Sequence, residues 1–330
     1  MAESDTARND ASLKAKKVLL QERAIAAGNV VGINGYRVNR TKLCETLLQR
    51  GYQLHEMPHF LLFTRAETPT TIIVHWFSPE EIDADIGDYI VHELKPLGIV
   101  VQWDDFANVI GALVCSLSPH DPLNAWHLYA KNTLQRYHHI LNNGGGTNPT
   151  SSAIETFATV YRRVYDYRIG KSFLDVGCSF GFLPLLAGEQ LGFDQVVGVD
   201  IQTDSFAVVR AIASAHHLAN VRFEQADLLA ANFHEIGTFD TVTALHILEH
   251  IGEMDMECAL ANLLKVTSQQ LIIAVPYESG EPETAYGHKQ LFTPEKLKAA
   301  GQWCLQQLGQ AGRVVCEECA GGLLLIEKYA

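Results

Sequence analysis

The sequence lacks any long uninterrupted apolar run. None reaches the roughly 18 residues that a membrane-spanning helix requires, and the first ten residues are polar, so we expect neither a membrane segment nor a secretory signal. The chain has seven cysteines, an odd number scattered along its length, which is typical of a reducing compartment rather than of a disulfide scaffold. We therefore expect a cytoplasmic protein with no membrane partner.

Positive charge is also scarce. The 25 lysines and arginines are outnumbered by 38 aspartates and glutamates, which gives a net charge of -13. A surface of that sign repels the phosphates of DNA and RNA. The composition therefore argues against a nucleic-acid partner and favours a small-molecule or glycan partner.

One stretch combines a buried strand with a glycine turn. The apolar run 172–176 predicts a strand, Gly177 and Gly181 allow a close backbone turn, and 182–191 has helical spacing. A second predicted strand, 196–200, ends in an aspartate. This order is typical of a nucleotide-type ligand pocket at the carboxyl end of a parallel sheet.

Asp175 separates two possible ligands for this pocket. A carboxylate two residues before the first glycine would repel a dinucleotide pyrophosphate, and the redox fingerprint G-x-G-x-x-G is absent because the turn reads Gly177-Cys-Ser-Phe-Gly181. An acid suits S-adenosylmethionine, which carries an ammonium group and no phosphate, and Asp200 can accept hydrogen bonds from both ribose hydroxyls. An NAD-dependent oxidoreductase is the remote alternative.

Over about residues 170–330 the sequence resembles the class I S-adenosylmethionine-dependent methyltransferases. The segments that extend the resemblance beyond the glycine turn are 221–228, 239–250, 271–276, 313–317 and 322–328. The resemblance implies an α/β fold, a Rossmann-like doubly wound seven-stranded sheet with an antiparallel last strand. It also implies S-adenosyl-L-methionine as cofactor and an adenine contact at Asp227.

The expected cofactor site consists of ten residues. They are Asp175, Gly177, Cys178, Ser179, Gly181, Asp200, Ile201, Asp227, Leu228 and Leu245. Ser179 departs from the family, which usually has a glycine there. That departure motivates an alternative from another class, a noncatalytic S-adenosylmethionine-binding or scaffolding protein.

Three histidines are candidates for the acceptor side. His246 and His250 flank a sequence that spells H-x-x-E-H, the inverted zinc-protease signature. The protease requires that run inside a helix, whereas here it follows a predicted strand, so we predict no metal. By the resemblance, this turn and the loop carrying His288 face the acceptor, and each histidine can act as base, orient the acceptor or serve a purely structural role.

The breaker-rich segment 142–151 predicts a linker. We place a flexible segment at 1–28, a small α+β domain with a lid helix at 29–141, and the methyltransferase domain at 152–330. Upstream of the methyltransferase domain the sequence predicts helices at 41–50, 82–97, 126–141 and 154–167, and strands at 60–65, 70–77 and 99–103.

The predicted activity is O-methylation of a small molecule or a glycan hydroxyl. A base candidate is useful only when a hydroxyl acceptor must lose its proton. A narrower resemblance, carried by 180–184, 245–250, 274–278, 285–288 and 321–323, is to the methyltransferases that cap the oligosaccharide of the redox cofactor mycofactocin. It implies a sugar hydroxyl as acceptor.

Overall fold

The computed structural model describes residues 24–143, 152–309 and 311–329. The chain forms two compact units that divide between Asn132 and Thr133. The predicted flexible segment up to residue 23 and most of the predicted linker, 144–151, lie outside the described residues. The domain limits proposed from the sequence therefore stay a prediction.

The described chain consists of β-strands and α-helices, with short 3-10 turns in several of the connections. The strands are β1 (Ala24–Ala27), β2 (Val30–Asn34), β3 (Gln53–Glu56), β4 (Phe60–Arg65), β5 (Thr68–His75), β6 (Ser172–Val176), β7 (Gln195–Asp200), β8 (Val221–Gln225), β9 (Phe239–Leu245), β10 (Thr267–Val275), β11 (Gly312–Glu318) and β12 (Gly322–Lys328). The helices are α1 (Arg40–Gln49), α2 (Ile86–Leu94), α3 (Trp103–Cys115), α4 (Pro122–Asn142), α5 (Ala153–Tyr167), α6 (Phe182–Gln190), α7 (Phe206–Ala215), α8 (Met256–Val266) and α9 (Pro294–Leu308).

The N-terminal unit is built on a five-stranded sheet in the order β1-β2-β5-β4-β3. Only β2 and β5 run parallel to each other; the other neighbours are antiparallel. Leu43 and Leu47 of α1 pack on a cluster from the sheet that includes Ile33 and Phe63. At Gly32 the backbone of α3 comes so close to β2 that a Cβ would collide with Ala112. The unit is a small α+β fold.

The strand predicted at 99–103 is wrong. Trp103 begins α3 instead, because the Asp105 carboxylate accepts hydrogen bonds from the backbone N–H groups of Val101 and Gln102, 3.1 and 3.2 Å away, which fixes a helix start. Residues 24–27, which the sequence placed in the flexible segment 1–28, form β1 and pair antiparallel with β2.

The C-terminal unit contains a seven-stranded sheet in the order β11-β12-β10-β9-β6-β7-β8. Strands β10, β9, β6, β7 and β8 are mutually parallel, whereas β12 runs antiparallel to both of its neighbours. This confirms the predicted Rossmann-like sheet with an antiparallel last strand. Consecutive residues of β6, β9 and β10 are buried, as expected when both faces of a parallel sheet are covered.

No helix within the described ranges is both long and apolar enough to cross a membrane.

The amino end of the sheet is fastened by one carboxylate. Asp240, on β9, accepts hydrogen bonds from the backbone N–H groups of Lys171 and Ser172, at 2.7 and 3.1 Å, and from the side chains of Ser268 and Gln269. The backbone donor of Lys171 is the largest of the effects that lower the Asp240 pKa to about 2. Asp240 thereby joins the segment before β6 to β9 and β10.

We expect Asp240→Asn to reduce the free energy of unfolding by about 1 kcal/mol at pH 7, a value discounted because the carboxylate is partly exposed. A depressed pKa contributes stability above the ordinary value of 3.8, and that stability is lost as the pH falls toward 2. Urea unfolding of both proteins at several pH values checks this. A difference that stayed constant from pH 7 to pH 2.5 would contradict the role of the charge.

Candidate active site

The turn after β6 uses left-handed backbone at three positions. Gly177, Ser179 and Gly181 have φ values of 76°, 50° and 66°. The N–H groups of Gly177 and Cys178 donate to the Val199 carbonyl, 2.8 and 2.9 Å away, which ties the turn to the end of β7. A Cβ at Gly181 would collide with the ring of Phe223, so this position requires glycine for space as well as for conformation.

Ser179 occupies the position where a glycine was expected, and it adopts the glycine-like conformation. Its backbone N–H donates to Oδ2 of Asp200 at 2.8 Å, and its carbonyl accepts from the Ser205 hydroxyl at 2.7 Å. These two bonds hold a conformation that costs a non-glycine residue roughly 1 kcal/mol. The departure from the family pattern therefore leaves the turn intact.

Asp200 lies at the end of β7 with both carboxylate oxygens oriented by the backbone. Oδ2 accepts from Ser179, and Oδ1 accepts from the N–H of Gln202 at 2.9 Å. Each carboxylate oxygen has a second lone pair available. The pair of oxygens is therefore fixed at the mouth of the glycine turn and can accept two further hydrogen bonds.

Asp175 lies beneath the same turn and is only 5% exposed. Its Oδ1 accepts a 2.7 Å hydrogen bond from the Thr243 hydroxyl on β9. Burial raises the pKa of Asp175 to about 7; the Asp200 charge adds to this, and the Thr243 hydrogen bond opposes it. Thr243, which donates this hydrogen bond, was missed at the sequence level; it is a buried polar residue between the apolar residues Val242 and Ala244.

The remaining predicted cofactor residues surround the same edge of the sheet. Asp227 is exposed beyond the end of β8, where Oδ1 accepts from the N–H of Leu229 at 2.9 Å. Leu228 and Leu245 are buried, whereas Ile201 is exposed. Strand β8 ends at Gln225, three residues before the end of the segment 221–228 that carries the family resemblance.

Aromatic side chains of α4 and α5 lie against this turn. The rings of Tyr137 and Tyr161 are 5.0 Å apart, and Tyr137 is 5.8 Å from the ring of Phe182, which begins α6. Burial, followed by the charge of Asp175, raises the pKa of Tyr161. The two helices that precede β6 therefore contribute buried phenols near Asp175.

The turn after β9 contains the first candidate histidine. His246 has a positive φ of 53° and donates its backbone N–H to the Ala274 carbonyl at 2.8 Å. Its ring lies 4.8 Å from that of Phe157 on α5. Residues 248–250 form a short 3-10 turn, so the H-x-x-E-H run does not lie in an α-helix. The zinc-protease signature requires an α-helix there.

Glu249 is 1% exposed and lies between the histidines. Its Oε1 is 3.4 Å from Nδ1 of His246, which is an ion pair only when that ring is protonated. Among the described residues, neither carboxylate oxygen receives a hydrogen bond. A buried carboxylate without donors is unfavourable. Glu249 stands inside the H-x-x-E-H motif, yet it was not singled out at the sequence level.

His250 and His288 meet beside this glutamate. Their ring centroids are 5.0 Å apart, edge to face. Nδ1 of His250 is 3.2 Å from the Gly287 carbonyl, and Nδ1 of His288 is 2.9 Å from Oε1 of Glu278. Burial lowers the pKa of His250, and the neighbouring Glu249 charge acts in the opposite direction.

The loop after β10 is fastened to the turn after β9 by Gln290. Its side-chain amide donates to the carbonyls of Leu248 and Ile251 at 2.9 and 2.7 Å, while its backbone N–H and that of Lys289 donate to the Glu249 carbonyl. These bonds hold His288 next to His250, although the two residues lie 38 positions apart along the chain.

The glycine turn after β6 (177–181), called the donor turn below, contacts the turn after β9 (246–250). Ile247 packs so closely on Gly177 that its Cδ1 is 2.6 Å from where a Cβ would stand. Since β6 and β9 are parallel neighbours, their carboxyl ends place Asp175 and the three histidines at the same edge of the sheet. This arrangement presents one site for a nucleotide-like ligand. Beside it lies a group of histidine nitrogens and carboxylate oxygens.

Comparison with known proteins finds a family match within the C-terminal unit. Residues 173–270 match the family described as "Methyltransferase domain". The ubiquinone biosynthesis O-methyltransferase of Burkholderia multivorans is 39% identical over 101 residues, which cover 29% of this chain and 40% of that protein. The enzyme of the same name from Albidiferax ferrireducens is 32% identical over 84 residues, 26% of this chain and 32% of that protein.

Solved structures give weaker likenesses. The methyltransferase domain of bacterial CtHen1-C has 17% identity and a TM-score of 0.42, covering 52% of this chain and 96% of that one. The N-terminal domain of EvdMO1 with SAH bound has 17% identity and a TM-score of 0.38, covering 52% of this chain and 80% of that one.

The matched segment, the strand order and the glycine turn define a methyltransferase domain in the C-terminal unit. The strand order of the sheet is the one that the resemblance to the class I, S-adenosylmethionine-dependent methyltransferases predicts. The match with this chain covers less than half the length of these curated relatives.

We expect the pH dependence of stability to reveal Asp175. An acid whose pKa rises from 3.8 to about 7 on folding costs nothing below pH 4, and the cost grows until the pH passes 7. Asp175→Asn keeps the acceptor oxygen for Thr243 and removes the charge. Relative to its value at pH 4, its stability advantage over the unsubstituted protein should increase by up to about 4 kcal/mol at pH 8.

Chemical denaturation between pH 4 and pH 8 measures this difference, with Asp204→Asn on the exposed surface as the matched control. Parallel pH profiles for the Asp175 variant and the unsubstituted protein would contradict a buried, pKa-shifted carboxyl.

Proposed function

We propose that this protein is an S-adenosylmethionine-dependent methyltransferase that methylates a hydroxyl oxygen of a small molecule or glycan. The observation that carries the proposal is the fixed pair of Asp200 oxygens at the mouth of the left-handed glycine turn. Two acceptor oxygens held by backbone donors match the two vicinal hydroxyls of a ribose.

The rest of the donor site supports the same ligand. Asp175 lies beneath the turn, where its carboxylate favours an ammonium group and opposes a pyrophosphate. Asp227 extends from the end of β8 in a position suited to an adenine amino group. The same acid at 175 disfavours NAD, and the ordered turn at Ser179 supports a working site over a noncatalytic relative.

The bound donor supplies an electrophilic methyl group on a sulfonium. The protein must then hold the acceptor oxygen in line with that methyl group, about 3 Å away, and receive the hydroxyl proton. His246, His250 and His288 lie at the adjoining edge of the sheet, and the contact between Ile247 and Gly177 keeps that edge next to the donor turn. These histidines are the candidate acceptor-side residues.

Three observations favour a hydroxyl acceptor. The net charge of -13 opposes a polyanionic substrate. Proton acceptors cluster beside the donor turn, which suits a hydroxyl that has to be deprotonated. The curated relatives are named O-methyltransferases of ubiquinone biosynthesis, and the narrower sequence resemblance is to enzymes that methylate a sugar.

Calorimetric titration with S-adenosylhomocysteine tests the donor site. We expect micromolar binding by the unsubstituted protein and a loss of at least about tenfold to a hundredfold in Asp200→Ala, because hydrogen bonds to a charged group contribute about 1.5–3 kcal/mol each. Asp204→Ala removes an exposed carboxylate four residues along and should leave the affinity unchanged.

NADH is titrated in parallel, and thermal melting confirms that each variant is folded. Asp200→Asn, which keeps one acceptor oxygen, provides a second variant if the alanine protein unfolds. Saturable NADH binding without S-adenosylhomocysteine binding, or equal affinity in a folded Asp200 variant, would refute the assigned donor site.

A further inference from the structure

The carboxylate of Glu249 has no hydrogen-bond donor in the described part of the chain, although it is almost completely buried. Nδ1 of His246 lies 3.4 Å from its Oε1, outside hydrogen-bond geometry. An ionised carboxylate removed from water needs a compensating cation or several donors. The surroundings of Glu249 therefore have a deficit of positive charge.

Two imidazoles face the same space. One ligand atom from each of Glu249, His250 and His288 can be chosen so that all three lie within 4.8 Å of one another. Ligand atoms at about 2.1 Å from a shared cation are about 3–4 Å apart, so closure around a cation requires movements of only about 1 Å.

Both histidines are also oriented as metal ligands usually are. Nδ1 of His250 faces the Gly287 carbonyl, and Nδ1 of His288 faces the Glu278 carboxylate. An acceptor at Nδ1 makes that nitrogen the protonated one and leaves the lone pair on Nε2. Glu278 thus stands behind His288 as carboxylates commonly stand behind ligating histidines.

We infer that Glu249, His250 and His288 bind a divalent transition-metal cation. Two imidazoles and one carboxylate suit Mn²⁺, Fe²⁺, Co²⁺ or Zn²⁺ rather than Mg²⁺ or Ca²⁺, which prefer oxygen ligands. The sequence predicted no metal because H-x-x-E-H was not expected to lie in a helix. The third ligand, His288, comes from the loop after β10, which the helix motif does not include.

The cation would bind the acceptor hydroxyl during methyl transfer. This role rests on the proposed function. Three protein ligands leave coordination positions open to a hydroxyl of the acceptor, whose pKa falls on binding. The hydroxyl proton would pass to His246, the candidate histidine that does not bind the cation. The oxygen would form the new O–CH₃ bond while the S–CH₃ bond breaks with its electron pair on sulfur, which turns the sulfonium into a thioether. No oxidant or reductant takes part.

The test is direct measurement of metal binding by the full-length chain. Protein stripped with a chelator is titrated separately with Mn²⁺ and Zn²⁺; free Mn²⁺ is followed by electron paramagnetic resonance and Zn²⁺ by calorimetry. We expect one site per chain, a metal-dependent rise in the melting temperature, and at least about tenfold weaker binding in both Glu249→Gln and His288→Asn. Glu257→Gln, at an exposed position on α8, is the matched control.

The stripped variants give a second readout. Because Glu249→Gln replaces a buried carboxyl group that receives no hydrogen bond from the described residues, we expect its metal-free melting temperature to equal or exceed that of the unsubstituted protein. A lower value together with unchanged Mn²⁺ and Zn²⁺ affinity would assign Glu249 a purely structural role and overturn the site. Absence of uptake of either metal by the unsubstituted protein would overturn it as well.

Titration of the same stripped protein with S-adenosylhomocysteine separates this inference from the proposed function. Donor binding without metal uptake would refute the metal site and leave the methyltransferase proposal standing. Metal uptake without donor binding would do the reverse.

Discussion

Two carboxylates buried at one edge of a parallel sheet, Asp175 and Glu249, constrain the chemistry of the whole C-terminal unit. An ionised carboxylate away from water is stable only when a proton, a donor set or a cation compensates it. Asp175 retains a proton up to about pH 7 and receives one hydrogen bond from Thr243. Glu249 receives none from the described residues. In the proposals above, an ammonium group compensates the first carboxylate and a metal cation compensates the second.

The fold brings these two charges together through strand order rather than sequence proximity. Strands β6 and β9 are adjacent and parallel, so the turns that follow them meet, and Ile247 packs on Gly177 where they do. Gln290 then fastens the loop after β10 to the second turn. The glycine turn, the buried glutamate and the histidines are consequently held by backbone hydrogen bonds together with the side chains of Asp200 and Gln290.

The sheet of the C-terminal unit was predictable because its strands are buried on both faces and read as continuous apolar runs. The position of Asp200 followed from the same pattern. Strand β3 was missed because its residues are mostly exposed. The segment 99–103 was mistaken for a strand because the helix start at Trp103 is fixed by the side chain of Asp105, which hydrophobic periodicity does not detect.

The role of Glu249 was beyond the sequence for a different reason. Its motif was visible, but what distinguishes it is the absence of donors around a buried carboxylate, together with the approach of His288 from a loop about forty residues away. Such a property belongs to packing, and no local pattern of residues encodes it. The positive φ of Ser179 was similarly hidden, since serine gives no sequence signal for left-handed backbone.

The most direct test of the account is a crystal structure of the protein grown with saturating S-adenosylhomocysteine. The account predicts density for the ligand over the glycine turn, with the ribose hydroxyls within hydrogen-bond distance of the Asp200 oxygens and the amino group on the side of Asp175. Density for the ligand at another place in the chain, or ribose hydroxyls directed away from Asp200, would contradict it.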